Sequence, residues 1–312
     1  MAQPGQNLTP ESVRRTLLAS KESGEEYFAR KHKFRIFVEE LEGLNLRIST
    51  GRYTHFGIKF NEMRNKKKED VPEGEVQFGL LRFKYYRESQ DTISIFCNNP
   101  INVFSEVFDF YEAVFDIKVE QLTMILDNIR NYVVFLTRLV ALRPYPLPIL
   151  DVEGTVEDPE EFKFILNMLN PTEKAEIEVE VPLGFSFDFD FSCVAVDIWN
   201  FGEWLTLNTL LNKRSQRFEA YRTAFGNRDV VEYLNRWAPR AFEVGFEIVT
   251  LELREPVDIG AIINGIPGCR LIAQGNHFST EKRHVLFRDG RLVLLEISPV
   301  TPRKLKMQME CP

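Results

Sequence analysis

The stretch VAVDIWNFGEWLTLNTLLNKRSQRFEAYRTAFGNRDVVEYLNRWAPRAFEVGFEIVTLELREPVDIGAIINGI, residues 194–266, decides the fold. Runs with strand character at 194–199, 218–225 and 246–253 alternate with runs at helical spacing at 205–211, 230–237 and 259–266. Strands separated by helical crossovers pair in parallel, because a tight turn returns the chain only in the opposite direction. The alternation extends upstream. Residues 119–126 read as a strand, 128–142 as a helix stopped by Pro144, Pro146 and Pro148, and 149–152 as a strand. Asp158-Pro159, a cap followed by a first-turn proline, then opens a helix with Phe162, Ile165, Leu166 and Leu169 at helical spacing.

Outside that region the period changes. Phe34, Ile36 and Val38, then Leu44, Leu46 and Ile48, then Phe56, Ile58 and Phe60 recur at every second position, which predicts an antiparallel meander. A polar loop at 61–75, with Lys66, Lys67, Lys68, Pro72 and Gly74, precedes strands expected at 76–87 and 92–98. The Lys66–Lys68 run reads as a solvated loop rather than a phosphate contact. Before the meander, Thr9-Pro10 caps a helix through Val13, Leu17 and Leu18 toward Tyr27 and Phe28. Near the end, Asp289-Gly290 between apolar runs signals a hairpin. The expected class is therefore α+β / α/β. It comprises a helical segment at 1–33, an antiparallel β region at 34–117 and an α/β domain at 118–312. Spacing between β-α units in the last varies, which suits an irregular leucine-rich-repeat-like β-α domain better than a regular solenoid.

One segment predicts both a hairpin and a candidate site. Ala175, Ile177, Val179 and Val181 share a face, Pro182-Leu183-Gly184 turns, and Phe185, Phe187, Phe189 and Phe191 share a face on return. The opposite face would then collect Glu176, Glu178, Glu180, Asp188 and Asp190. Such a carboxylate row is ordinarily a wet strand face, but it also suits a basic partner segment, or a hard cation in a metal-dependent enzyme.

Composition narrows the classes of function. The 312 residues carry 39 Lys and Arg against 46 Asp and Glu, a net charge of −7, which argues against bulk-charge binding of nucleic acid. The four cysteines, Cys97, Cys193, Cys269 and Cys311, form no CxxC or metal-ligand spacing and read as reduced thiols. The polar N-terminus has no secretory pattern and no apolar run is long enough to span a bilayer, so the expected location is intracellular, cytoplasmic or nuclear, with no membrane partner. The sequon at Asn7 is discounted accordingly. His32, His55, His277 and His284 stand at no catalytic or metal-binding spacing, and nucleophile-elbow, phosphate-loop and dinucleotide motifs are lacking. Trp199, Trp204 and Trp237 lie in apolar periodic segments and read as core.

An ordered series of short motifs adds a family likeness. Trp204-Leu205-Thr206-Leu207 precedes Leu210-Leu211; Asn227-Arg228-Asp229-Val230-Val231-Glu232-Tyr233-Leu234-Asn235-Arg236-Trp237 follows; then Ile262-Ile263-Asn264-Gly265-Ile266 and Phe287-Arg288-Asp289-Gly290. With FKFILNMLNP at 162–171 upstream, this series resembles the F-box-associated domain (type 2) of the F-box protein family expanded in nematodes. Val231 stands where that family usually has Asn. The resemblance marks Trp204, Leu207, Asp229, Tyr233, Leu234, Trp237, Gly265, Arg288, Asp289 and Gly290 as signature positions of structural character. Residues 16–34, TLLASKESGEEYFARKHKF, are similar to the second half of an F-box, without its opening Leu-Pro helix, so residues 1–33 resemble a truncated or degenerate F-box. Leu17, Leu18, Tyr27 and Phe28 would then contact a Skp adaptor. The implied function is non-catalytic and needs no cofactor: substrate recognition for a Skp-cullin-F-box ubiquitin ligase. A binding or scaffold protein that has lost its F-box and works without the ligase is the alternative, and a metal-dependent enzyme using the acidic hairpin is a further one.

Overall fold

The computed structural model describes residues 34–40, 44–50, 55–66, 71–78, 80–89, 92–115, 119–128, 137, 146–189, 193–212, 215–237, 248–277, 280–286, 292–298 and 300–310. They form a mixed α+β protein whose chain divides into two compact units, Met1–Leu147 and Pro148–Pro312. The division falls later than the break at 117/118 expected from the change in periodicity, and strand β7 (Val119–Ile125) pairs with β1 (Phe34–Glu40) of the first unit.

In the first unit, β1, β2 (Leu44–Thr50) and β3 (His55–Glu62) form the expected antiparallel meander. The segment expected as one strand at 76–87 is instead two, β4 (Gly74–Phe78) and β5 (Leu81–Arg87), paired antiparallel around residues 79–80. β5 then pairs antiparallel with β6 (Thr92–Cys97). The region is not wholly antiparallel, because the loop after β3 carries the chain across and leaves β6 parallel to β3, while β1 runs parallel to β7. A helix absent from the sequence reading, α1 (Pro100–Phe115), packs against β2, β3 and β6. Its start follows ordinary capping chemistry: proline is the first helical residue, and the Asn99 side chain accepts the Asn102 N–H at 3.1 Å. Phe104, Val107 and Phe108 bury one stripe, and the Phe104 ring meets Phe60 edge-on at 5.6 Å.

The second unit confirms the decisive alternation. Strands β8 (Ile149–Thr155), β9 (Lys174–Glu180), β10 (Ala195–Ile198), β11 (Arg217–Ala220) and β12 (Ile248–Glu252) lie side by side in chain order, all parallel. Helices α2 (Pro159–Met168), α3 (Leu207–Asn212), α4 (Asn227–Trp237) and α5 (Ile259–Asn264) follow β8, β10, β11 and β12. Asp158 caps α2 as its sequence predicts, accepting the N–H groups of Glu160 and Glu161. One sheet face is apolar and buried (Leu150, Val152, Ile177, Val196, Ile198, Phe218, Val249, Leu251), and the helices bury Phe162, Ile165, Leu210, Tyr233, Leu234, Trp237 and Ile262. Each such large apolar side chain contributes about 1.5–3 kcal/mol of transfer free energy. Four antiparallel strands extend the sheet beyond β12 in the order β16 (Lys304–Glu310), β15 (Leu292–Ile297), β14 (Thr280–Leu286), β13 (Arg270–His277). β14 and β15 pair as the Asp-Gly signal implies, whereas β13 and β16 were not read from sequence.

The hairpin expected over 175–191 does not form. Ala175, Ile177 and Val179 are buried as foreseen, but β9 is hydrogen-bonded on both sides, to β8 and β10, and has no free edge for an antiparallel return. Residues 181–189 leave the sheet, and buried Phe189 packs on Trp204 at 5.5 Å. The helices expected within 1–33 and over most of 128–142, and the Arg288-Asp289-Gly290 turn, lie outside the described residues.

Candidate functional site

The face of the parallel sheet turned away from its helices is polar, and register decides what meets there. One row runs Asp151, Glu176, Asp197, Glu219, Thr250 and Lys306 across six neighbouring strands. One pleat toward the strand N-termini, Lys174, Ala195, Arg217 and Ile248 are in register. One pleat the other way, Glu153 pairs with Glu178 and Glu252 with Lys304. Between those pairs stand Trp199 and Tyr221, held in the ladder by their N–H groups donating to Ile177 O at 2.8 Å and Ile198 O at 3.0 Å.

Charge is organised around Asp197. Its side chain is 1% exposed although it lies on the outer face, because Lys174 and Arg217 cover it. Lys174 Nζ lies 3.3 Å from Oδ2, and Arg217 Nη2 donates to both carboxylate oxygens at 3.1 and 3.2 Å. The same cations reach outward, Lys174 to Glu176 at 2.6 Å and Arg217 Nε to Glu219 at 3.2 Å. Burial works to lower the Lys174 pKa, and the Glu176 and Asp197 carboxylates outweigh it, so the pKa stands above the ordinary lysine value. A carboxylate this buried is tolerated only because it is paired and hydrogen-bonded.

Beside this network the Trp199 and Tyr221 rings stack at 4.8 Å and 10°, one strand spacing apart. Both are half-buried, so Trp199 differs from the core role expected of it. Tyr221 OH donates to Glu219 Oε2 at 3.0 Å and accepts from Lys304 Nζ at 2.8 Å, and that ammonium sits 4.6 Å from the Tyr221 ring centroid. Burial is the main reason the Tyr221 hydroxyl pKa stands above its ordinary value; Glu219 adds to it and Lys304 opposes it. The residues after each ring, Asn200 (φ 60) and Arg222 (φ 51), adopt the left-handed conformation. For Arg222 this costs about 1–2 kcal/mol, offset locally by its N–H bond to Glu252 and the guanidinium over Phe201 at 5.6 Å. Gly202 makes the turn possible: its N–H donates to Tyr221 O at 2.9 Å, and a Cβ there would lie 2.5 Å from that oxygen.

The five carboxylates predicted to share a hairpin face are not one cluster. Glu176 pairs with Lys174, and Glu178 accepts from the Asn200 amide. Glu180 ends β9, Asp188 leaves the sheet to accept from the hydroxyls of Thr206 and Thr209 at the start of α3, and Asp190 lies outside the described residues. Among the described residues no group of three or more His, Cys, Asp or Glu is placed to hold a metal ion. No helix of the described residues is long and apolar enough to cross a membrane.

Most of the described positions that the resemblance marked are buried or held by hydrogen bonds. Trp204, Tyr233, Leu234 and Trp237 are buried, with the Tyr233 and Trp237 rings stacked at 5.8 Å, and Leu207 is half-buried at the start of α3. Asp229 accepts the Gly226 N–H at 2.7 Å, closing the first turn of α4. Gly265 ends α5, where a Cβ would meet both Val231 methyls at 2.8 Å. Asn227 joins the two helices: its side chain donates to Glu255 and Pro256 and accepts the Asp258 N–H at 2.8 Å. Arg288, Asp289 and Gly290, and the adaptor candidates Leu17, Leu18, Tyr27 and Phe28, lie outside the described residues. The sequence reading missed the outer face; its available signal was the polar-apolar alternation of Asp197 and Glu219 within otherwise buried strands. No family model, no curated protein and no solved structure matches the chain.

Proposed function

We propose that this chain is a non-catalytic protein-recognition subunit of a Skp-cullin-F-box ubiquitin ligase, acting inside the cell. In this reading the second unit is an irregular leucine-rich-repeat-like domain of the nematode F-box-associated type, and its open sheet face holds the target. The supporting observation is the half-buried Trp199–Tyr221 stack set among Arg217, Arg222 and Lys304. Trp, Tyr and Arg dominate the energetics of protein interfaces, and groups already locked by neighbours lose little entropy on binding. Glu176, Asp197, Glu219 and Glu178 near the stack are engaged by cations or donors, which suits recognition better than proton transfer. The ligase part rests on the motif series and on residues 16–34.

The test is a pulldown of the full chain with a purified Skp adaptor, beside a version lacking residues 1–33. Capture of the full chain alone supports the ligase reading. Capture of neither makes the protein a freestanding recognition module that works without the ligase.

A further inference from the structure

Charge on the outer face of the second unit is uneven. Toward β11, β12 and β16, bases and acids are mixed: Arg217 with Glu219, Lys304 in register with Glu252, and Lys306 Nζ 3.8 Å from Glu296. Toward β8 and β9 Lys174 is the one facing base among the described residues, and it is already held by Glu176 and Asp197. The Glu153 and Glu180 side chains there are exposed and have no ion-pair partner among the described residues.

The aromatic stack joins the two halves and already shows what it attracts. On the Tyr221 side the chain supplies its own cation: the Lys304 ammonium, 4.6 Å from the ring centroid, donates to the hydroxyl, which donates in turn to Glu219. Aromatic face, ammonium and carboxylate form one unit. Because Trp199 gives its β11-side face to Tyr221, its other face is turned toward β9, where Glu178, one carboxylate oxygen of which accepts from the Asn200 amide, stands in the same cross-strand row and Glu153 one strand beyond. The same parts recur on that side. The cation does not: no Lys or Arg of the described residues lies over the Trp199 indole.

We propose that this end of the face binds an extended, Lys- or Arg-bearing segment of the target protein, with one cationic side chain against the free face of Trp199 and between the carboxylates of Glu178 and Glu153. The occupant is chosen by charge complementarity: the region is acidic and lies beside an aromatic ring held in place by its stack on Tyr221. The proposal rests on the protein-recognition reading and adds to it the chemical class of the segment recognised.

The experiment titrates the full chain into a fluorescein-labelled Gly/Ser peptide carrying spaced lysines and arginines, and separately into the same peptide with glutamate at each charged position. Anisotropy reports binding, and the part of the indole emission change that is lost in Trp199→Leu reports contact with Trp199. The expected result is salt-sensitive binding of the cationic peptide alone, weakened about tenfold or more in a Glu153→Gln/Glu178→Gln double variant and in Trp199→Leu. Because Glu153 is exposed, the single Glu153→Gln variant folds as the parent does and also binds more weakly, while Lys306→Gln binds as tightly as the parent. Failure of the parent to bind, equal binding of both peptides, or unchanged affinity in the double variant would overturn the proposal. Adaptor capture without peptide binding defeats this partner class and leaves the ligase reading standing; peptide binding without adaptor capture does the reverse.

Discussion

Replacing Trp204 sets two opposed energies against each other. The indole is 1% exposed and meets Phe162 edge-on at 6.0 Å, Phe185 at 6.1 Å and Phe189 at 5.5 Å. A buried Trp removes roughly 150–250 Å² from water, or about 4–6 kcal/mol at about 25 cal/mol per Å². Each ring pair adds about 0.5–1.5 kcal/mol. Against this, the indole Nε1–H is buried with no hydrogen-bond partner among the described residues, a penalty of about 1–3 kcal/mol. Residual burial in the unfolded chain trims the favourable side further. Trp204→Ala is therefore expected to lower stability by about 3–5 kcal/mol. Trp204→Phe keeps a ring against the three phenylalanines and deletes the orphaned donor, so its loss of volume is largely offset and stability stays within about 1 kcal/mol of the parent. Urea unfolding followed by far-ultraviolet circular dichroism measures both, as midpoint shifts at unchanged slope. A phenylalanine variant as damaged as the alanine one would refute the orphaned-donor argument, and an alanine variant within about 1 kcal/mol of the parent would refute the packing argument itself.

The same reasoning applies elsewhere. Tyr233 OH is buried without a partner among the described residues, and burial pushes its pKa up, so Tyr233→Phe should match or exceed the parent's stability by about 1 kcal/mol in the same urea assay. Trp237→Ala, which removes the ring stacked on Tyr233, should cost about 3–5 kcal/mol; an unchanged melting temperature would remove it from the core. Gly202→Ala forces a Cβ against the rigid Tyr221 carbonyl and should cost about 1–3 kcal/mol, with altered near-ultraviolet dichroism from the Trp199–Tyr221 stack. Burial pushes the Cys97 thiol up to about 11, above its unfolded value of about 8.5, so its contribution is intact below that unfolded value and is lost as pH rises toward 11. Parent and Cys97→Ala unfolding free energies compared across that window should converge with rising pH; a constant difference would refute the assignment.

Some of this architecture was legible because it is written locally. The period-two runs at Phe34 and Leu44, the cap Asp158-Pro159 and the alternation through 194–266 each occupy a few neighbouring residues, and local backbone geometry fixes which side chains share a face. That was enough to predict parallel pairing among the strands separated by helices, β10, β11 and β12, and the buried Ala175, Ile177 and Val179, though not the place of β9 between β8 and β10. Helix α1 was missed although Asn99-Pro100 carries a start signal and Ile101, Phe104, Val107 and Phe108 recur at helical spacing, because a run so rich in Phe and Val suits a strand as well. The hairpin at 175–191 failed for a different reason. Its alternation is real, but whether a strand turns back on itself depends on whether its edge is free, and β8 and β10 had taken both edges of β9. The candidate face obeys the same rule. Asp197, Arg217 and Lys174 come from three strands, and Trp199, Tyr221 and Lys304 from three chain segments, the last more than eighty residues from its partner. Periodicity determines which way a side chain points. Only strand order and register determine what it meets, because those are set by packing between segments distant in the chain.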